Sequence, residues 1–133
     1  MKNGLKSAIV VLLLVAGSGD TVSPQTVRLN QVMRNKLEHS QRIFEAVVTS
    51  NWSVLDKESR ALGAVTRDPA WSVLQFPEYG RYSAAFLQAT GELADAAKLR
   101  DLEAASLGFM SLSNSCISCH RYMTRARVVG TRP

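Results

Sequence analysis

From Pro24 onward the chain repeats apolar residues at steps of three and four, and nowhere alternates them in twos. A period near 3.6 marks an amphipathic α-helix; a period of two marks a half-buried strand. The pattern predicts an all-α chain. Ser23-Pro24 offers an N-cap followed by proline at the first helical position. The helix it opens runs to about Ser50, with Leu29, Met33, Leu37, Ser40, Phe44, Val47 and Val48 as one apolar stripe. Arg28, Arg34, Glu38, Gln41 and Arg42 lie mostly off it.

Asn51 breaks the pattern. A second helix is predicted from about Ser53 to Thr66, with Ser53 and Asp56 as a weak capping box and Trp52, Leu55, Leu62 and Val65 facing inward. Asp68-Pro69 reads as another cap and N1 proline, opening a short helical turn over Ala70–Gln75. The third helix covers roughly Glu78 to Leu99, its buried face marked by Tyr82, Phe86, Leu93 and Ala97, with Ala89 and Thr90 between them. Gly91 weakens that helix locally by about 1 kcal/mol relative to Ala, which suggests a close helix contact there. Asp101 caps a fourth helix to about Val128, along which Leu102, Ala105, Phe109, Leu112, Cys116, Cys119 and His120 step down one side. Four such helices with short connections make an antiparallel four-helix bundle, in which cofactors lodge between facing helices.

The start of the chain has a different character. Lys2 and Lys6 precede the apolar run Ala8–Ala16, and small residues Gly17-Ser18-Gly19 follow it. That is the layout of a secretory signal peptide, assigned to residues 1–19, and the apolar run is too short to span a bilayer comfortably. Residues 20–133 then form a single domain in the periplasm. An uncleaved anchor is the alternative. The net charge of +5 falls once Lys2 and Lys6 are removed. No basic run with interleaved aromatics is present, so the charge does not point to nucleic acid.

Cys116-Ile117-Ser118-Cys119-His120 spells C-x-x-C-H and uses the chain's two cysteines. This is the attachment motif of a c-type haem. Two thiols add across the two porphyrin vinyl groups, and the following imidazole reaches the iron. On a helix, positions 116, 119 and 120 share one face. A thioredoxin-like pair needs a βαβ context that is missing here. A structural zinc site wants four N or S ligands, and beyond the motif there is only the distant His39. Two idle free thiols in an exported chain would be a liability. The motif therefore predicts one covalently attached haem c.

With its C-x-x-C-H on the last helix of a four-helix bundle, the chain resembles the class II c-type cytochromes, which include cytochrome c′. The resemblance implies Cys116 and Cys119 as haem thioethers and His120 as the proximal iron ligand. Low-spin members of that family place a first-helix methionine on the iron and carry electrons. High-spin members leave the distal position open beneath an apolar residue and bind NO or CO. Met33 falls near the former position, and Leu37, distal haem packing, near the latter. Many members have an arginine four residues after the haem histidine; here that residue is Thr124, and Arg125 follows it. Family members often pair through the first two helices, so the resemblance extends to a homodimer, although Arg28, Arg34, Glu38 and Arg42 form no apolar patch that demands one.

Methionine at a helical core position is ordinarily gap-filling core. Opposite a haem, Met33 becomes the favoured distal ligand. Met110 and Met123 sit on the haem helix itself, and His39 lies about 200° round the helix from Leu37, which predicts a solvent-facing ring. Trp52, Trp71, Tyr79, Tyr82, Phe86 and Phe109 are read as core or haem-packing residues. Arg121, Arg125, Arg127 and Arg132 form a basic helix end, favoured by the helix dipole, with propionate pairing or steering of an acidic partner as the sharper reading. The sequence expectation is a soluble electron carrier serving redox partner proteins, with a gas-binding cytochrome c′-like protein as the alternative. A peroxidase-like enzyme ranks last, since the first helix shows no acid–base pair for cleaving an O–O bond.

Overall fold

The structure, a computed structural model, describes residues 24–71 and 77–130, and of residues 25 and 127–130 only the backbone. The expected signal segment 1–19, the Ser23 cap, most of the turn expected over Ala70–Gln75, Arg132 and the Arg127 side chain lie outside that description. The described chain is a four-helix bundle: α1 (Pro24–Val48), α2 (Trp52–Ala64), α3 (Pro77–Leu99) and α4 (Leu102–Gly130), with a 3-10 turn at Val65–Arg67 after α2. Among the described residues no helix is long and apolar enough to cross a membrane.

Two sharp turns fold the helices back on one another. Ser50 and Arg100 adopt left-handed backbone conformations, at φ 53° and 54°. In each case the next residue returns its N–H to a carbonyl five residues back, Asn51 to Ala46 at 2.8 Å and Asp101 to Ala96 at 3.0 Å. This is the Schellman ending of a helix. The same Asn51 and Asp101 then cap the following helix, accepting from Val54 N at 3.2 Å and Ala104 N at 3.0 Å. One polar residue thus closes one helix and opens the next. The cap of α2 is Asn51, not the Ser53–Asp56 box expected from sequence, because the left-handed turn at Ser50 brings the asparagine round. Asp68 Oδ1 accepts from Ala70 N at 2.8 Å, the bond an N-cap makes, while most of the turn expected to follow it lies outside the described residues.

Contacts between neighbouring helices run in opposite chain directions. His39 meets Glu58 while Arg28 meets Asp68, and Leu93 meets Gly108 while Glu78 meets Tyr122. The bundle is antiparallel. Its centre holds Ile43, Leu55, Leu62, Phe86, Leu93, Ala105 and Leu112, all nearly inaccessible. Tight crossings fall at Gly63 and Gly108, where an added Cβ would stand 2.9 Å from Thr90 Oγ1 and 3.1 Å from Leu93 Cγ. Gly91, expected at a close contact, is exposed with nothing within 4 Å of an added Cβ. Its neighbour Thr90 is the residue that turns inward.

Helix α1 buries Val32, Lys36, Ile43, Ala46 and Val47. The stripe expected to be core is buried only in part: Val47 is buried and Met33 half-buried, but Leu37, Phe44 and Val48 are exposed. A 100°-wide apolar stripe covers two sectors of a helix, and α1 presents them to different neighbours.

Candidate functional site

The less buried sector of α1 faces α4 across an open cleft of about 440 Å³. From α1 come Met33, Lys36, Leu37, Ser40, Gln41 and Phe44; from α4 come Phe109, Leu112, Ser113, Cys116, Ile117 and His120. The two helices touch where Phe44 meets Phe109, ring centroids 5.3 Å apart. The volume and the apolar walls with a few polar groups are those of a cofactor-sized site. The mouth of the cleft is bordered by Leu37, Cys116, Ile117, His120, Arg121, Thr124 and Arg125.

The C-x-x-C-H residues lie within continuous helix, so the i, i+3, i+4 geometry applies. Both cysteines are free thiols and half-buried, Cys119 packed against the core. Burial pushes the Cys119 thiol up, which the charge of Lys36 only partly offsets and Cys116 reinforces. His120 is exposed on the cleft. Its carbonyl accepts from Thr124 Oγ1 at 3.0 Å. Arg121 and Arg125 stand at the mouth.

Of the residues singled out from sequence, Cys116, His120, Met33 and Leu37 line one cleft, whereas Cys119 is not among its lining residues and packs against the core. Met110 is exposed and off the cleft wall, and Met123 packs against the core. His39 departs from expectation. Its Nδ1 lies 2.6 Å from Glu58 Oε2 on α2 and its side chain is largely covered. The face of α1 opposite Leu37 is the seam with α2, not solvent. Burial pushes the Glu58 carboxyl up, but the His39 hydrogen bond and the charges of His39, Arg42 and Lys57 outweigh it and hold the carboxyl below its ordinary value.

Among the aromatics, Trp71, Tyr79 and Phe86 form a buried group, Phe109 lines the cleft, and Tyr82 stacks on Tyr122 at 5.7 Å. Tyr79 donates to the Trp71 carbonyl at 2.6 Å, and burial together with the nearby Cys119 sulfur pushes its hydroxyl up to about 12.

Sequence reasoning missed Lys36. It is 7% exposed, with Nζ 4.4 Å from the Trp71 ring centroid and 4.2 Å from that of Phe86. Burial pulls its ammonium below the ordinary value, while the Cys116 and Cys119 sulfurs pull it back up. The one sequence signal was a lysine three residues after Met33, inside an apolar stripe.

Among the described residues no group of three or more His, Cys, Asp or Glu is placed to hold a metal ion. No protein family, curated protein or solved structure matches this chain.

Proposed function

We propose that this protein is a monohaem c-type cytochrome, exported to the periplasm, that carries electrons between redox partner proteins. The observation that carries the reading is that Cys116 and His120 of the C-x-x-C-H line the open apolar seam between α1 and α4. The residues present fit a haem. Two free thiols and an exposed imidazole share a helix face, and Leu37, Phe44, Phe109, Leu112 and Ile117 supply apolar walls. Leu37, Phe44 and Ile117 are all more than half exposed, an apolar surface that a bound porphyrin would cover.

Cys116 and Cys119 would hold the porphyrin, each thiol adding sulfur to one carbon and hydrogen to the other of a vinyl double bond. His120 would ligate the iron from α4, and Met33 from α1, with Leu37 packed over the ring. Bound haem supplies a reversible one-electron iron couple, whose potential depends on axial ligands and burial. The Met33 thioether favours ferrous iron. With a porphyrin covering them, the apolar walls would limit water access, and two helices would keep rearrangement small. His39 is committed to Glu58 and ranks behind Met33. Arg121 and Arg125 at the mouth supply positive charge toward propionates or an acidic partner.

A second reading is a gas-binding, cytochrome c′-like protein with an open iron position under Leu37. It is favoured by Leu37 bordering both the cleft and its mouth beside His120.

The test is export in a host competent for haem attachment. Haem should stay with the chain on a denaturing gel, and should be lost when Cys116→Ser and Cys119→Ser are combined. A purified chain with both thiols free would overturn the cytochrome reading. Visible spectra with and without CO then divide the two alternatives. A low-spin spectrum indifferent to CO, turning high-spin in Met33→Ala, supports the carrier. A high-spin spectrum that responds to CO supports the gas binder.

A further inference from the structure

Lys36 has no place in an ordinary helix-bundle core. It is 7% exposed, its Nζ lies against the faces of Trp71 and Phe86, and none of the ion pairs among the described residues includes it. An isolated buried cation is costly, and replacing buried charge with apolar side chains of similar volume is often neutral or stabilising. The two aromatic faces recover part of that cost. Packing alone would therefore favour methionine or leucine at position 36.

Lys36 is nonetheless one of the residues that line the cleft, together with Cys116 and His120, and both cysteine sulfurs pull its ammonium up. Those sulfurs do not balance it once haem is attached, because thioethers are neutral. On the cytochrome reading, the group that enters the cleft does bring negative charge, and it gains one more with each electron.

We propose that Lys36 is the electrostatic partner of the reduced haem: a positive charge walled in by Trp71 and Phe86 that favours the ferrous state and raises the reduction potential. The inference rests on the cytochrome reading and deepens it. Ferrous haem carries one negative charge more than ferric haem, and a cation buried to 7% exposure beside the cleft acts on that difference with less screening than a charge in open water. Lys36 is thus a positioning residue for charge, distinct from the ligand role given to Met33. Its stem is fixed by α1, and its ammonium by two rings, one held in turn by the Trp71 Nε1 hydrogen bond to Ser83 Oγ at 3.0 Å.

The test is a spectroelectrochemical titration of the haem-loaded wild type, Lys36→Met and Lys36→Arg. Lys36→Met keeps length and apolar fit but removes charge. It should retain covalent haem and the wild-type ligand spectrum, while the reduced-to-oxidised ratio at fixed ambient potential falls about tenfold, a drop of ~59 mV. Lys36→Arg should return more than half of that shift. Lys36→Gln makes the same measurement if Lys36→Met does not fold. A ratio within twofold of wild type in the neutral variants overturns the inference and leaves the cytochrome reading standing. A changed spin state or ligand band shared by Lys36→Met and Lys36→Gln also overturns it, since Lys36 would then be bound to iron. A wild-type chain without covalent haem overturns both.

Discussion

Helix α4 makes one closed seam and one open one. Against α3 it packs Gly108 onto Leu93, buries Ala105 and stacks Tyr122 on Tyr82, with the Tyr122 hydroxyl 3.4 Å from Glu78. Against α1 it meets Phe44 through Phe109 and otherwise leaves Leu37 and Ile117 exposed. Both seams are apolar, so apolar character does not distinguish them. The closed seam has a glycine where the backbones approach, whereas the lining of the open one includes no glycine. Close packing to interior density needs such small-residue crossings. Where they are missing, a bundle has room for something else.

The comparison is sharpened by substitutions on either side of it. Leu62 is fully buried in the closed part of the bundle. Leu62→Ala should cost about 3 kcal/mol in a denaturant titration. Gly108→Ala puts a methyl group against Leu93 and should cost about 2 kcal/mol, whereas Gly91→Ala, facing open space, should stabilise by about 1 kcal/mol. If both glycine changes stabilise, the α3–α4 seam is looser than described.

Glu58 ties α1 to α2 through His39. Its carboxyl is held below the ordinary value of 4.5, so its contribution is present above that pH and lost as the pH falls through the lower folded value. Denaturant midpoints followed from neutral pH into acid should therefore fall more steeply for wild type than for Glu58→Gln, which at neutral pH should be less stable by about 1–2 kcal/mol. The smallest effect is expected at Leu37. In the chain before haem attachment, Leu37→Ala should change stability by less than about 0.5 kcal/mol, since the side chain is 60% exposed. A cost like that of Leu62→Ala would break the distinction between open and closed seams.

The helices and most of their ends were legible in the chain, because period and capping chemistry are local. Asp101 caps the last helix as its neighbours suggested. The Schellman endings were not legible, since their left-handed residues are serine and arginine in place of the usual glycine. Of the site, the cysteines and His120 were legible as a motif, and the shared helical face of Met33 and Leu37 as a spacing. Lys36 and the His39–Glu58 pair were not, because nothing local tells which neighbour a helix face will meet.

The sequence by itself determined an all-α chain with a C-x-x-C-H triplet on one face of its last helix. That much follows from periodicity and spacing, which are properties of a single helix. Only the tertiary structure decided that the apolar stripe of α1 divides between a core and a cleft, that His39 turns to Glu58, and that a lysine lies buried between two aromatic rings beside the cysteines. These depend on how far apart two helices stand, and that distance is set by the side chains of all four packed together.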